Sequence, residues 1–232
     1  MLNSTIEIKI KQRLNKLDSQ DYDNITCWQV VEAFNKAQVE WARRQLHGIN
    51  ILKEGDEGST RRKDDLQVLL DTQSLSLTDK EYYYFANLPG DYLQWKRVDV
   101  FAKKECCDKR RMTVYFAQEG DLNVLLRDKG KQPNFDWAET FATLIGNTTH
   151  IYTNNEFQIE SANLIYYRQP RKIQIDGCVD PYTNLQSTGN VFCEFKDDII
   201  ELIIDETVSI IAGDIESGNQ FSRGTETAER NN

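Results

Sequence analysis

The chain has 232 residues, 39% of them apolar, and a formal net charge of −9. This length suits one large domain or a compact domain with an insertion, and the apolar content is sufficient for a substantial core. The negative charge argues against a nucleic-acid binder that neutralises phosphates, although DNA could slide past such a surface without adhering to it. We expect no signal peptide, because residues 1–7 lack a basic segment and an apolar stretch. We also expect no membrane partner, because no apolar run approaches the roughly 20 residues that span a bilayer.

The N-terminal part of the chain predicts two amphipathic helices. The first covers residues 5–17, where apolar side chains recur every three or four positions. A polar break at residues 18–24 precedes the second helix, which covers residues 26–46. Thr26 is the predicted N-cap of this helix, and Gly48 is its predicted stop. Trp28 and Trp41 give it two large aromatic side chains.

The middle of the chain is rich in aromatic and β-branched residues and predicts a β-sandwich or small barrel over residues 66–177. A turn at Gly146-Asn147 predicts a hairpin, and residues 119–128 predict a short helix. The predicted strands cover residues 66–77, 81–101 with a break at Pro89-Gly90, 111–118, 141–145, 149–152 and 160–168.

The C-terminal part predicts an acidic helix over residues 195–215 with an unusually wide apolar surface. One row contains Ile200, Ile204, Val208, Ile211 and Ile215, and a second row beside it contains Ile199, Ile203 and Ile210. A stripe this broad is normally buried on more than one side, so the helix needs packing partners. Residues 217–232 have almost no apolar content and predict a flexible tail or an arm that docks on a partner.

Together these elements predict an α+β fold. We expect residues 1–50 and 193–216 to form a helical unit from the N- and C-terminal helices. An antiparallel β-sandwich or barrel-like domain, covering residues 60–190, is inserted between them.

The cysteines do not indicate a metal site or a disulfide framework. There are five of them at irregular spacings, namely Cys27, Cys106, Cys107, Cys178 and Cys193. Cys106 and Cys107 are adjacent and no histidine lies near them, which does not match structural zinc sites. We expect reduced thiols in a cytosolic setting.

No arrangement of residues indicates catalysis. The two histidines, His47 and His150, are more than 100 residues apart, and no nucleophile or nucleotide-binding motif is present. Asp197, Glu201 and Asp205 share one helical face and could ligate a metal, but we favour a solvated face opposite the apolar stripe. We therefore predict no enzyme activity, no cofactor, and no catalytic, cofactor-binding or metal-binding residues.

Two further features have open interpretations. The basic cluster Lys103-Lys104 and Lys109-Arg110-Arg111 could contact nucleic acid or an acidic partner, or could guard an exposed sheet edge. Tyr82-Tyr83-Tyr84 is more typical of a sheet core and its rim than of a base-stacking platform.

The order of elements resembles the head–tail connector, adaptor, ring or collar virion proteins of tailed bacteriophages, and is most similar to those of crAss-like podoviruses. The likeness is sharpest in residues 26–43 and 195–218, and it includes the strand that runs into Arg168-Gln-Pro-Arg171. The resemblance implies a homo-oligomeric ring, a dodecamer, that docks below the portal protein and contacts neighbouring ring or tail proteins. It also implies a wall of the channel through which double-stranded DNA passes without sequence-specific binding. Its location would be the portal vertex or tail of the virion, after assembly in the host cytoplasm.

A ring needs an interface whose rotation closes. We expect the helix with Trp28 and Trp41, the aromatic strands and the polar tail to supply it, since large aromatic residues favour interface cores. The alternatives are a tail-tube or head accessory protein and, from another class, a metal-dependent hydrolase that uses the acidic face of the C-terminal helix.

Overall fold

The computed structural model describes residues 1–15, 25–47, 64–105 and 107–214. Several predicted features lie outside the described residues, namely the polar break at 18–24, the helix stop at Gly48, Cys106, Ile215 and the tail. Its helices and strands establish the predicted α+β class. The chain divides into two compact units, one formed by Met1–Val68 with Pro170–Asn232 and the other by Leu69–Gln169. The boundary at Pro170 differs from the sequence-based boundary near residue 190.

The first unit contains the three long helices α1 (Asn3–Asn15), α2 (Cys27–His47) and α4 (Asp197–Asp214). Helix α4 packs against both α1 and α2. Its isoleucines at positions 199, 200, 203 and 204 are all buried, which confirms that the wide apolar stripe needs two packing partners. Ile6, Ile10 and Leu14 of α1 are fully buried at steps of four, as the helical period requires.

The beginning of α2 is capped as predicted. The Gln29 backbone N–H donates to Thr26 Oγ1 at 3.4 Å, while the Thr26 backbone N–H donates to Gln29 Oε1 at 2.9 Å. This reciprocal pair satisfies two backbone donors that a helix N-terminus would otherwise leave without partners. The capping box therefore fixes where α2 begins.

The second unit is one eight-stranded sheet that curls into a half-barrel, in the order β1-β8-β4-β5-β6-β7-β3-β2. Helix α3 (Leu122–Arg127) follows a 3₁₀ turn at Glu119–Asp121, as the sequence predicts. The strands are β1 (Leu70–Ser74), β2 (Thr78–Asp79), β3 (Tyr83–Asn87), β4 (Tyr92–Lys104), β5 (Cys107–Phe116), β6 (Glu139–Ile145), β7 (Thr148–Tyr152) and β8 (Gln158–Arg168).

One strand pair departs from the antiparallel prediction. Strands β5 and β6 pair in parallel, from Thr113 opposite Glu139 to Phe116 opposite Ala142. A parallel pair needs a crossover connection, and the segment that carries α3 supplies it. The hairpin between β6 and β7 is as predicted, with Gly146 at a φ of 59° in its turn.

The core of the second unit lies on one face of the curled sheet. Side chains of β3 to β8 point into it, and Val100, Ala142, Ile151 and Leu164 are fully buried there. Phe135 and Phe157 close the cluster, with their ring centroids 6.1 Å apart.

Candidate protein-docking surface

Residues 174–191 form a folded projection of the first unit, which we call the finger. Isolated bridges pair Gln174 with Val191 and Val179 with Gln186. At its tip (residues 179–186), the Asp180 backbone N–H donates to the Leu185 carbonyl at 3.0 Å. The Asp180 carboxylate accepts from the Tyr182 backbone N–H at 2.8 Å and from the Thr183 hydroxyl at 3.0 Å. The tip is thus an ordered turn held by its own hydrogen bonds.

The finger presents apolar side chains to the surface. Tyr182 is 81% exposed, Leu185 is 70% exposed, and Val179 and the adjoining Phe192 are about half exposed. Its charged residues are Asp176 and Asp180, and the finger has no basic residue. Hydrogen bonds from the Tyr182 N–H and the Thr183 hydroxyl hold the pKa of Asp180 below its usual value, so this carboxylate is charged at neutral pH. An ordered apolar tip with negative charge is typical of a protein-docking surface.

A disulfide attaches the finger to α2. It joins Cys27, the first residue of α2, to Cys178, with the two Cα atoms 5.8 Å apart. The expectation of reduced thiols throughout is therefore wrong for these two residues. Their separation of 151 residues hid the pairing, because only the fold brings them together. Cys193 is a free thiol.

Aromatic and amide contacts support the same attachment. The rings of Trp28 and Tyr182 meet edge to face, with 5.2 Å between centroids. At the other end, the buried Asn3 donates from Nδ2 to the carbonyls of Gln174 at 2.7 Å and Val191 at 2.8 Å. The base of the finger is thus held to α1 by hydrogen bonds, and its tip lies against α2.

A groove of about 940 Å³ lies between α2 and the finger. Val31 and Val39 of α2 line it together with Ile173 and Ile175. Charged side chains of both signs also line it, namely Glu32, Lys36, Glu40, Arg43, Lys172 and Asp180. The groove therefore combines apolar surface with mixed charge.

The second unit has an exposed apolar patch of its own. Tyr115, Phe116 and Trp137 are each more than half exposed, as is Val124 of α3. A smaller cavity of about 330 Å³ lies between the end of β5 and Leu125. The rings of Phe116 and Trp95 are 5.3 Å apart, so part of this patch is already packed.

The acidic face of α4 is solvated at Asp197, whose side chain is 72% exposed, but Glu201 and Asp205 are partly buried. Glu201 forms ion pairs with Lys9 and Arg13 of α1, and Arg13 Nη1 also lies 2.6 Å from Asp205 Oδ1. Asp197 is paired with the N-terminal ammonium at 2.7 Å. Glu201 and Asp205 therefore join α4 to α1, which could not be predicted from the sequence because their basic partners lie at the other end of the chain.

The two inner carboxylates of this face respond oppositely to their surroundings. Burial raises the pKa of Glu201, but Lys9 and Arg13 outweigh that effect and hold the pKa below its usual value. Burial also raises the pKa of Asp205, and there it outweighs the opposing charge of Arg13. Both shifts reflect ion-pair packing between helices.

No metal centre emerges from the residues that the structure describes. Within them, no three His, Cys, Asp or Glu side chains come together in a way that could hold a metal ion. His150 instead lies in a row of rings, stacked on Tyr83 with 4.8 Å between centroids. The side chain of His47 lies outside the description.

The basic cluster is largely paired within the chain. Lys104 contacts Glu156, Lys109 contacts Glu160, and Arg111 contacts Asp99. Arg110 donates to the carbonyls of Phe135 and Asp136 and stacks over the Phe135 ring. These residues lie on β4 and β5, which are interior in the strand order, but β6 pairs only with Thr113–Phe116 of β5. The Lys109-Arg110-Arg111 part of β5 is therefore paired by a described strand on one side alone, and the edge-guarding interpretation stays a prediction.

The aromatic residues separate into core and surface. Trp41 is buried and packs edge to face on Phe195, which removes it from the expected ring interface. Trp28 is partly exposed beside the finger tip. In the Tyr82-Tyr83-Tyr84 run, Tyr84 is buried and Tyr82 is exposed, which confirms the core-and-rim interpretation.

The finger was not predicted as a docking surface from the sequence. The loop was visible as a stretch rich in glycine, asparagine and proline, but its apolar residues follow no helical or strand period. One sequence feature could have indicated a docking surface here: Tyr182 and Leu185 lie between turn-forming residues. Large apolar side chains in a polar turn seldom pack inside the protein.

No protein-family model matches the chain, and no curated protein matches its sequence. Within the described ranges, none of the helices combines the length and apolar character needed to cross a membrane.

Proposed function

We propose that the chain is a structural subunit of a tailed-phage head–tail connector or collar ring that docks below the portal protein. The single observation that carries this proposal is the ordered finger, whose Tyr182 and Leu185 project from the surface. Large exposed apolar side chains on an ordered turn favour a permanent protein interface. The resemblance in residues 26–43 and 195–218 indicates that this interface belongs to a ring assembly.

In this proposal the finger tip docks on a neighbouring copy within the ring. A ring closes only if the same contact repeats head to tail around an axis, so each subunit needs a donor surface and a different receptor surface. The tip is a suitable donor because it is apolar, ordered and negatively charged. Its complement on the neighbour is a surface with apolar and basic residues.

The finer architecture belongs to the same proposal. The helices from both chain ends form the unit that makes ring contacts, and the inserted half-barrel contributes to the wall of the ring. The net charge of −9 suits a channel wall that DNA passes without being retained, because phosphates and carboxylates repel. The resemblance also implies twelve copies per ring. It places the ring at the portal vertex of the virion after assembly in the host cytoplasm.

Purified phage particles test this function. Mass spectrometry should find the chain in the particle, and antibody labelling viewed by electron microscopy should place it at the portal vertex. Absence of the chain from particles would exclude the proposal. Cross-linking to capsid or tail-tube subunits, without cross-links to the portal protein, would favour the head or tail accessory alternative.

We do not propose the hydrolase alternative. It depended on free carboxylates at positions 197, 201 and 205, and each of them is ion-paired.

A further inference from the structure

The Cys27–Cys178 disulfide lies where it can control the conformation of the finger. Cys27 begins α2, and Cys178 lies two residues before Asp180, where the tip turn begins. The cross-link therefore joins the rigid end of a long helix to the segment that leads into Tyr182 and Leu185. Few positions in the finger would fix its tip more directly.

The hydrogen-bonded anchors of the finger lie elsewhere, at its base. Asn3 holds the carbonyls of Gln174 and Val191, and Asn35 both accepts from the Ile173 N–H at 2.8 Å and donates to the Ile173 carbonyl. Nearer the tip, α2 is joined to the finger by the disulfide and by the ring contact between Trp28 and Tyr182. A single edge-to-face contact between partly exposed rings is too weak to hold a loop in place by itself.

We propose that the Cys27–Cys178 disulfide is a redox-controlled staple that fixes the finger against α2, so that the tip takes its docking conformation only in the oxidised protein. With both thiols reduced, the base stays on Asn3 and Asn35 while the tip separates from α2 and the groove of about 940 Å³ loses one wall. The link from this conformation to assembly rests on the proposed function, whereas the staple itself does not. Because a cytoplasm keeps most thiols reduced, that link requires an oxidant such as oxidised glutathione to close the bond before the tip docks.

The chemistry of closure is thiol–disulfide exchange with a low-molecular-weight disulfide such as oxidised glutathione. The thiolate of one cysteine attacks the small disulfide, forming a mixed disulfide and releasing one small thiol. The second cysteine then displaces the remaining small thiol and completes the Cys27–Cys178 bond. Two protein thiols are oxidised and one small disulfide is reduced to two thiols, so electrons and protons balance.

The other described cysteines provide matched controls. Burial raises the pKa of the Cys193 thiol, which leaves less of the reactive thiolate, and its Sγ lies 3.9 Å from Gln38 Oε1. Cys107 is exposed at the start of β5, in the second unit. Neither belongs to the finger.

Hydrogen exchange on the full chain tests the staple without any mutation. The protein is compared after treatment with oxidised glutathione and after treatment with dithiothreitol, with disulfide formation verified by mass. Two amides flank the tip and report on the segments that lead into it: the Gly177 N–H donates to the Ser187 carbonyl at 3.0 Å, and the Ser187 N–H donates to the Cys178 carbonyl at 2.8 Å. We expect both to exchange about tenfold faster or more in the reduced protein, while amides of the β6–β7 hairpin keep their rates.

Equal exchange in the two redox forms would overturn the proposal. Faster exchange throughout the reduced chain would also overturn it, because the bond would then be a general structural cross-link. The Cys27→Ser/Cys178→Ser protein should exchange as the reduced form does in either buffer. The Cys107→Ser/Cys193→Ser protein should keep the full redox response. If that control lost the response, the finger would be governed by another thiol.

Assembly is measured separately, as incorporation of each redox form into phage particles. If the finger responds to redox and only the oxidised form is incorporated, both proposals stand. If the finger responds but both forms are incorporated equally, the staple stands and the docking role of the tip fails. If the finger does not respond, the staple fails whatever assembly shows.

Discussion

Arg13 of α1 and Asp205 of α4 form an ion pair, with 2.6 Å between Nη1 and Oδ1, across a sequence separation of 192 residues. Arg13 also pairs with Glu201, one turn away on the same helix. Arg13 and Lys9 together therefore place two positive charges against two carboxylates that would otherwise repel each other at the helix interface. This contact joins the two ends of the chain.

Replacing Arg13 should weaken the docking of α1. We expect Arg13→Met, which keeps an apolar stem, to lower the free energy of unfolding by about 1–2 kcal/mol, between the values typical of exposed and buried pairs. Lys11→Met is the matched control, because Lys11 pairs with Glu7 on its own helix. Urea unfolding measures both variants, and equal losses would contradict the role assigned to Arg13.

Shortening a core isoleucine of α4 should be costlier. Ile204 is fully buried, so Ile204→Ala removes apolar contacts and leaves a cavity, and we expect a loss of about 2–5 kcal/mol. Ile8 is more than half exposed on α1 in the same unit, and Ile8→Ala should change stability by about 0.5 kcal/mol or less. Comparable losses in the two variants would mean that the apolar stripe is not the core of this unit.

A charge at the finger tip should block docking without unfolding the protein. Leu185→Asp places a carboxylate where the proposed interface is apolar, so we expect incorporation into phage particles to be lost. The free energy of unfolding should change by about 0.5 kcal/mol or less, since the side chain is 70% exposed. Val124→Asp, at a similarly exposed position on α3, is the control and should be incorporated normally. Normal incorporation of Leu185→Asp would refute the docking role of the tip.

His150 should make stability depend on pH. Burial lowers the pKa of His150 from 6.5, although Glu119 opposes this shift. The unfolded chain therefore binds a proton at His150 more readily than the folded chain does. The neutral ring contributes its full stabilisation above pH 6.5, the pKa in the unfolded chain. This stabilisation is lost as the pH falls from 6.5 through the lower pKa of the folded protein.

The variant His150→Phe should reduce this pH dependence. It preserves a ring that can stack on Tyr83, but it cannot be protonated. Urea unfolding at about pH 7.5 and pH 5 should show a smaller loss of stability in the variant than in the wild type. An unchanged loss would show that other groups cause the acid sensitivity.

Local patterns in the sequence predicted most of the elements, whereas pairings between distant residues could not be predicted. The period of Ile200 and Ile204 predicts α4, and Thr26 as an N-cap predicts the beginning of α2, because both signals depend on neighbours within one or two turns. The parallel pairing of β5 with β6 depends on how the connecting segment crosses the sheet. No local rule sets that path.

The candidate site was the least predictable part. The Cys27–Cys178 bond and the hydrogen bonds from Asn3 to the finger join positions more than 150 residues apart. The ion pairs of Glu201 could not be predicted either, because the sequence of one helix does not indicate which other helix its charged face contacts. Contacts of this kind are fixed by the packed fold.

A reconstruction of the portal vertex by electron cryomicroscopy tests the central claim most directly. We predict a closed ring of copies of this chain next to the portal protein, with Val179, Tyr182 and Leu185 of each copy buried against its neighbour. Absence of the chain from the vertex, or a ring in which the finger tips face solvent, would contradict the account.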